Sequence, residues 1–130
     1  VAMAEVALTH ASHIVFSEQG LTDYAGSCDG RALKEVAKKL GAWCAVTRGA
    51  SPALCHDGQD LTEVPTFPTL AANTLGAGDV WHGAFTLALV RERSAVDAVH
   101  WANAAASLKL RHPISVETLP TAKDVAELLY

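Results

Sequence analysis

A glycine-rich turn carrying one carboxylate, Gly76-Ala77-Gly78-Asp79, opens the long apolar stretch from Val80 to Val90. At a helix start this pattern binds anions. First-turn N–H groups point outward, the macrodipole places partial positive charge there, and glycines let a phosphate come close to the backbone. Asp79 is the unusual member, because a carboxylate beside a phosphate repels it. Such a group fits the task of taking the proton from a hydroxyl that attacks the phosphate. Two better-known glycine loops are excluded. A Walker-type loop needs a lysine after its glycines, and neither Lys nor Arg occurs between Arg48 and Arg91; a dinucleotide fingerprint needs a third glycine where the chain has Trp81. By itself the turn reads equally well as a structural one, with Asp79 as a helix-start acid worth about a few tenths of a kcal/mol.

The surrounding residues favour chemistry. The run Asn73-Thr74-Leu75-Gly76-Ala77-Gly78-Asp79-Val80-Trp81-His82-Gly83-Ala84-Phe85 closely resembles the second signature of the ribokinase-like (PfkB) carbohydrate kinases, Asp-Thr-x-Gly-Ala-Gly-Asp-x-Phe. Two further segments fall where that family has them: Val46-Thr47-Arg48-Gly49-Ala50 upstream, and the run from Trp101 through Asn103 to Lys109 downstream. The resemblance covers nearly the whole chain. It corresponds to the C-terminal part of a family member, so residues 1–130 are expected to be a nucleotide-binding and catalytic portion without the N-terminal sugar-binding half and its lid. Leu75 and His82 look most like the branch holding ketohexokinase and sulfo-sugar kinases.

This resemblance implies ATP-dependent phosphorylation of a sugar hydroxyl, with ATP, Mg2+ and K+ as cofactors and a sugar as partner. It assigns Asp79 as the catalytic base and Gly76, Ala77 and Gly78 as the anion hole for the transferring phosphoryl group. Thr47, Arg48 and Gly49 match positions lining the nucleotide phosphates, and Asn103 matches a residue near the adenine. Asn73 stands where the family has the Asp of its monovalent-cation site; an amide coordinates through oxygen but brings no charge. Two other departures are Pro52, where the family often has glycine, and Ser17-Glu18-Gln19-Gly20, where its Asn-x-x-Glu should fall. A cytoplasmic enzyme is implied, as is room for a homodimer through parts not fully represented here. The fragment alone is expected to be inactive. The alternative is a non-catalytic nucleotide-binding or structural α/β domain that keeps the motif without the chemistry.

The elements that must position these residues alternate. Val1 to Leu8 reads as the tail of a helix and Ser12 to Ser17 as a short buried strand. Asp29 caps a helix whose Leu33, Val36, Ala37 and Leu40 recur at helical spacing, and Gly41 ends it. Trp43 to Thr47 reads as a second buried strand, and Ala53 to Cys55 with Leu61 to Phe67 as a hairpin around Asp57-Gly58. Asp79 to Glu92 is apolar on most sides, which predicts a buried helix, with Gly83 marking close packing. Ser94 and Asp97 start a helix from Ala95 to Leu110, and Pro120-Thr121 starts a last one to Leu129. Such alternation predicts an α/β fold, and the resemblance makes it the C-terminal part of a three-layer fold with a mainly parallel sheet flanked by helices. Ligands in such folds bind beyond the carboxyl ends of strands, so Thr47-Arg48-Gly49 and the Gly76 turn are expected to face one cleft.

Composition narrows the remaining classes. Among 130 residues half are apolar and the net charge is -4, which fits one packed core and argues against disorder or a nucleic-acid footprint. Residue 1 is Val and no basic segment precedes the apolar start, so no secretory signal is expected. No apolar run reaches the roughly twenty residues that span a bilayer. Cys28, Cys44 and Cys55 are three, widely spaced and without zinc-site pairing, and read as buried reduced thiols. His10 and His13 read as histidines without the partners of a metal site, and His82, one turn from Asp79, as a packed histidine at the cleft edge rather than a catalytic one.

Overall fold

Two short apolar strands, β1 (His13–Ser17) and β2 (Trp43–Arg48), run parallel in the computed structural model, with His13 opposite Trp43 and Ser17 opposite Thr47. The structure describes residues 2–67, 76–111 and 119–130. Its other elements are α1 (Ala2–His10), α2 (Glu18–Ala25), α3 (Gly30–Leu40), β3 (Ser51–His56), β4 (Leu61–Val64), α4 (Ala77–Val90), α5 (Ala95–Leu110) and α6 (Ala122–Leu129). The chain divides into two units, Val1–Val64 and Pro65–Tyr130.

The first unit holds the sheet, in the order β1-β2-β3-β4. The α/β class is as expected. The sheet, expected to be mainly parallel, is mixed among the described residues: β2–β3 and β3–β4 are antiparallel and β1–β2 is parallel. The cause is local. Gly49 at φ 59 lets the chain reverse within two residues, and a turn that short can join only antiparallel neighbours. The second reversal is the expected one at Asp57-Gly58. Asp57 Oδ1 accepts from the N–H groups of Gln59 and Asp60 at 2.8 and 2.7 Å, and these bonds, Asp60 first, hold its carboxyl below the ordinary value.

Helices cover this sheet through a core of Ile14, Phe16, Leu21, Leu33, Val36, Cys44, Val46 and Leu54. Helix α3 follows its sequence signals. Asp29 Oδ1 accepts from the Ala32 N–H at 2.8 Å, Leu33, Val36 and Ala37 are buried, and Gly41 closes the helix in the left-handed region. Helix α2 had no counterpart in the sequence reading, because Leu21 is its one buried residue and leaves no apolar period to detect. Its start is nonetheless capped, with Ser17 Oγ accepting from the Gly20 N–H at 3.0 Å. The segment Ser17 to Gly20 is therefore a helix start.

The second unit is helical where it is described. Helices α4 and α5 form an antiparallel hairpin joined by residues 91–94, and α6 packs on α5. Helix α5 has the expected bounds, with Ser94 Oγ accepting from the Asp97 N–H at 3.1 Å. Helix α6 begins with a reciprocal capping box between Thr121 and Asp124. Helix α4 starts and ends two residues earlier than expected, and it is less buried. Trp81, Phe85 and Ala88 face inward at helical spacing, while Leu87 is 40% and Val90 74% exposed. Gly83 is exposed, and a Cβ added there would meet nothing within 4 Å, so it marks no close packing. An apolar composition does not say how many sides of a helix have neighbours; here one stripe is covered. At the hairpin bend, Glu92 adopts φ 59. The Arg93 guanidinium beside it lies 4.5 Å over the Trp101 ring and donates to Tyr130 Oη at 3.3 Å, which ties the end of α6 to the hairpin.

Candidate active site

Gly76 precedes α4 at φ 80, ψ -4, a left-handed conformation that glycine adopts without strain. No side chain caps the helix, and its first internal bond runs from the Val80 N–H to the Gly76 carbonyl at 3.0 Å. The N–H groups of Ala77, Gly78 and Asp79 therefore have no acceptor within the helix. This end is open. Gly78 and Asp79 are exposed, Gly76 and Ala77 half-buried, and a Cβ at Gly78 would meet nothing within 4 Å. Free amides, the helix dipole and open space together form an anion site with one carboxylate in its first turn. His82, one turn on, is exposed, and its Nδ1 donates to the Gly78 carbonyl at 2.7 Å. That bond turns the ring back onto its own helix.

The first turn is held from behind by the hairpin. Trp81 Nε1 donates to Asn103 Oδ1 at 2.8 Å, and Asn103 Nδ2 donates to the Pro65 carbonyl at 3.1 Å. The Trp81 ring stacks on Phe85 at 5.2 Å. Asn103, expected beside the adenine, is 5% exposed, with both ends of its amide engaged inside the unit. A direct side-chain contact with a nucleotide would require breaking those bonds. Trp81 was absent from the expected site residues; its partner is 22 positions away, and no local pattern encodes such a pair.

Thr47, Arg48 and Gly49 form the end of β2 and its turn in the first unit. Thr47 Oγ1 donates to the Phe16 carbonyl at 3.4 Å and Arg48 Nε to the Pro52 carbonyl at 2.7 Å. Pro52, the departure noted in this loop, thus supplies the acceptor that orients Arg48. Asn73, with Thr74 and Leu75, lies outside the described residues. No group of three or more His, Cys, Asp or Glu side chains suited to a metal occurs among the described residues. No helix among them is long and apolar enough to cross a membrane. Cys44 and Cys55 are free, buried thiols, pushed by desolvation up to about 11 and about 12; Cys28 is free and half-buried.

Comparison with known proteins gives the class. The family described as pfkB family carbohydrate kinase matches residues 2–122, and the chain belongs to that family. A ribokinase of Lactococcus lactis subsp. lactis (strain IL1403) is 34% identical over 80 residues, which are 62% of this chain and 27% of that protein. Among solved structures, a putative ribokinase from Agrobacterium tumefaciens superposes with TM-score 0.89 and 28% identity over 98% of this chain and 43% of its own. Fructokinase from Vibrio cholerae O395, in a fructose, ADP and calcium ion bound form, superposes with TM-score 0.86 over 99% of this chain and 44% of its own; at 24% identity it shows the fold alone. The fold is ribokinase-like α/β. The chain thus spans between a quarter and a half of the length of these relatives.

Proposed function

We propose that this chain is the nucleotide-binding and catalytic-base portion of an ATP-dependent sugar kinase, the C-terminal part of a longer phosphotransferase. The observation carrying this reading is the uncapped, open start of α4, where free amides and the Asp79 carboxylate share one turn in a member of a carbohydrate kinase family. The amides of Ala77 and Gly78 accept the charge on the transferring phosphoryl group. Asp79 takes the proton of the sugar hydroxyl as its oxygen bonds to the terminal phosphorus. The bond from that phosphorus to the bridging oxygen breaks, and ADP leaves with the electron pair. Thr47, Arg48 and Gly49 line the nucleotide phosphates, with Arg48 oriented by the Pro52 carbonyl. Asn103 acts by holding Trp81, and through it the first turn of α4. Magnesium is commonly bound by substrate phosphates with one or two carboxylates, so it arrives with the nucleotide. Asp79 is the carboxylate present at this turn.

The test is nucleotide binding by the chain itself. Mg-ADP at a hundredfold over its dissociation constant adds about 2.7 kcal/mol to stability, so the melting temperature rises with ADP concentration. A folded chain whose melting curve is unchanged at millimolar ADP would overturn the reading.

A further inference from the structure

His56 ends β3 with a buried imidazole, 3% exposed, one residue before the Asp57-Gly58 reversal. The backbone N–H of Gly58 donates to its Nδ1 at 2.9 Å. A backbone N–H can only donate, so Nδ1 carries no proton and the ring is neutral, with its hydrogen on Nε2. A histidinium bears hydrogen on both nitrogens. Protonating His56 therefore sets two N–H groups against each other and places a charge where water is excluded.

Three elements meet around this side chain. His56 stands opposite Cys44 on β2 and opposite Leu61 on β4. Leu61 in turn lies against the first residue of α3, Gly30, where an added Cβ would meet Leu61 Cδ2 at 2.9 Å. A shift of Leu61 is therefore felt at the start of that helix.

The groups facing the ring give a positive charge little support. On β2 the opposite residue is the Cys44 thiol, buried and pushed by desolvation up to about 11. On β4 it is apolar Leu61, and Glu63, next on that face, is exposed. Helix α3 turns Leu33, Val36 and Ala37 inward, while its Arg31, Lys34, Glu35, Lys38 and Lys39 are exposed. Asp57 and Asp60 in the turn itself are exposed as well, so their attraction is screened by water and salt. The reversal thus hangs on two acceptors, His56 Nδ1 for Gly58 and Asp57 Oδ1 for Gln59 and Asp60. Histidines take up protons just below neutral pH and carboxylates only far lower, so mild acid attacks the first of them alone.

We propose that His56 is an acid-sensitive latch on the β3–β4 hairpin: its protonation removes the Gly58 bond and releases the turn and β4. Strand β4 is last in the order β1-β2-β3-β4, so its release leaves the β1–β2 and β2–β3 ladders in place. The sign follows from linkage. A released hairpin takes up the proton near pH 6.5, as a free histidine does, and the latched one does not, so the closed form is fully favoured above that pH and loses ground below it.

The experiment is amide hydrogen exchange of this chain, followed by NMR at pH 7.5 and 5.5 and expressed as protection relative to the unstructured rate at each pH. One pH unit below 6.5 corresponds to about a tenfold change in the opening equilibrium. Protection of Gly58 and of the β4 amides should fall about tenfold, while that of β1 and β2 stays within about twofold. In His56→Asn the amide oxygen can accept from Gly58 and does not titrate, so this pH dependence should vanish. Unchanged protection in the parent, an equal fall in His56→Asn, or an equal fall in β1 and β2 would each overturn the latch. Should His56→Asn fail to fold, the parent's Gly58 amide resonance is followed against the His56 ring, and a Gly58 signal that stays flat while the ring titrates overturns it too.

Discussion

The indole N–H of Trp81 and the amide oxygen of Asn103 meet at 2.8 Å inside the α4–α5 hairpin, two residues beyond the carboxylate of Asp79. One hydrogen bond thus sets the depth of the helix whose open end forms the candidate site. The same amide holds the Pro65 carbonyl, so one side chain links three segments of the second unit.

Replacing Asn103 with Leu keeps the volume but leaves the Trp81 N–H and the Pro65 carbonyl without their acceptor and donor. Each buried orphan costs about 1–3 kcal/mol. Urea unfolding followed by circular dichroism should show a loss in that range for Asn103→Leu, and Trp81→Phe in the same chain should recover part of it. Losses that simply add, with coupling below about 0.5 kcal/mol, would show that the bond does not hold the hairpin.

Gly76 and Gly78 should respond oppositely to alanine. At Gly76 the left-handed backbone resists a Cβ, and Gly76→Ala is expected to lose about 1–2 kcal/mol of stability. At Gly78 the Cβ has room and the backbone is helical, so Gly78→Ala keeps stability or gains up to about 1 kcal/mol. Its methyl group stands where a phosphate would approach the amides, so ADP affinity should fall. Thermal melts with and without ADP separate the two effects; unchanged ADP affinity in Gly78→Ala would place the ligand elsewhere.

Asp79→Asn, made in a protein carrying the rest of the family's length, keeps the shape of the turn and removes the proton acceptor. Turnover should fall roughly a hundredfold to ten-thousandfold. Nucleotide affinity should hold or tighten slightly, because a negative charge beside the phosphates is gone. Turnover within about threefold of the parent, roughly 0.65 kcal/mol in barrier terms, would remove Asp79 as the base.

The buried thiols predict alkaline sensitivity. Desolvation raises Cys44 to about 11 and Cys55 to about 12 from an ordinary thiol value of 9.0, so above pH 9 the unfolded chain releases protons that the folded chain retains. The stabilisation is complete below that pH and is lost as pH rises through 11 and 12. Denaturant midpoints should therefore fall across this window, and less so in a Cys44→Ala, Cys55→Ala variant compared with its own value at pH 8. In the native state at pH 8, Cys28 should react with a thiol reagent well before the other two.

What the sequence determined by itself is local. The caps of α3, α5 and α6 at Asp29, Ser94 and Thr121 each join a side chain to an N–H three residues on. The Asp57-Gly58 reversal and the glycine turn before α4 are of the same kind, interactions that spacing alone reveals. Tertiary structure decided the rest. Helix α2 went unseen because a single buried residue makes no period, and the exposure of Leu87 and Val90 follows from which side of α4 has a neighbour. Asn103 and Lys109 make the same point in opposite ways. One was expected beside the adenine and has its amide engaged inside the unit, and the other is a lysine, a residue type that ordinarily stays in water, and is buried. A side chain's solvent and partners depend on segments brought together from tens of residues away, and no spacing along the chain records that meeting.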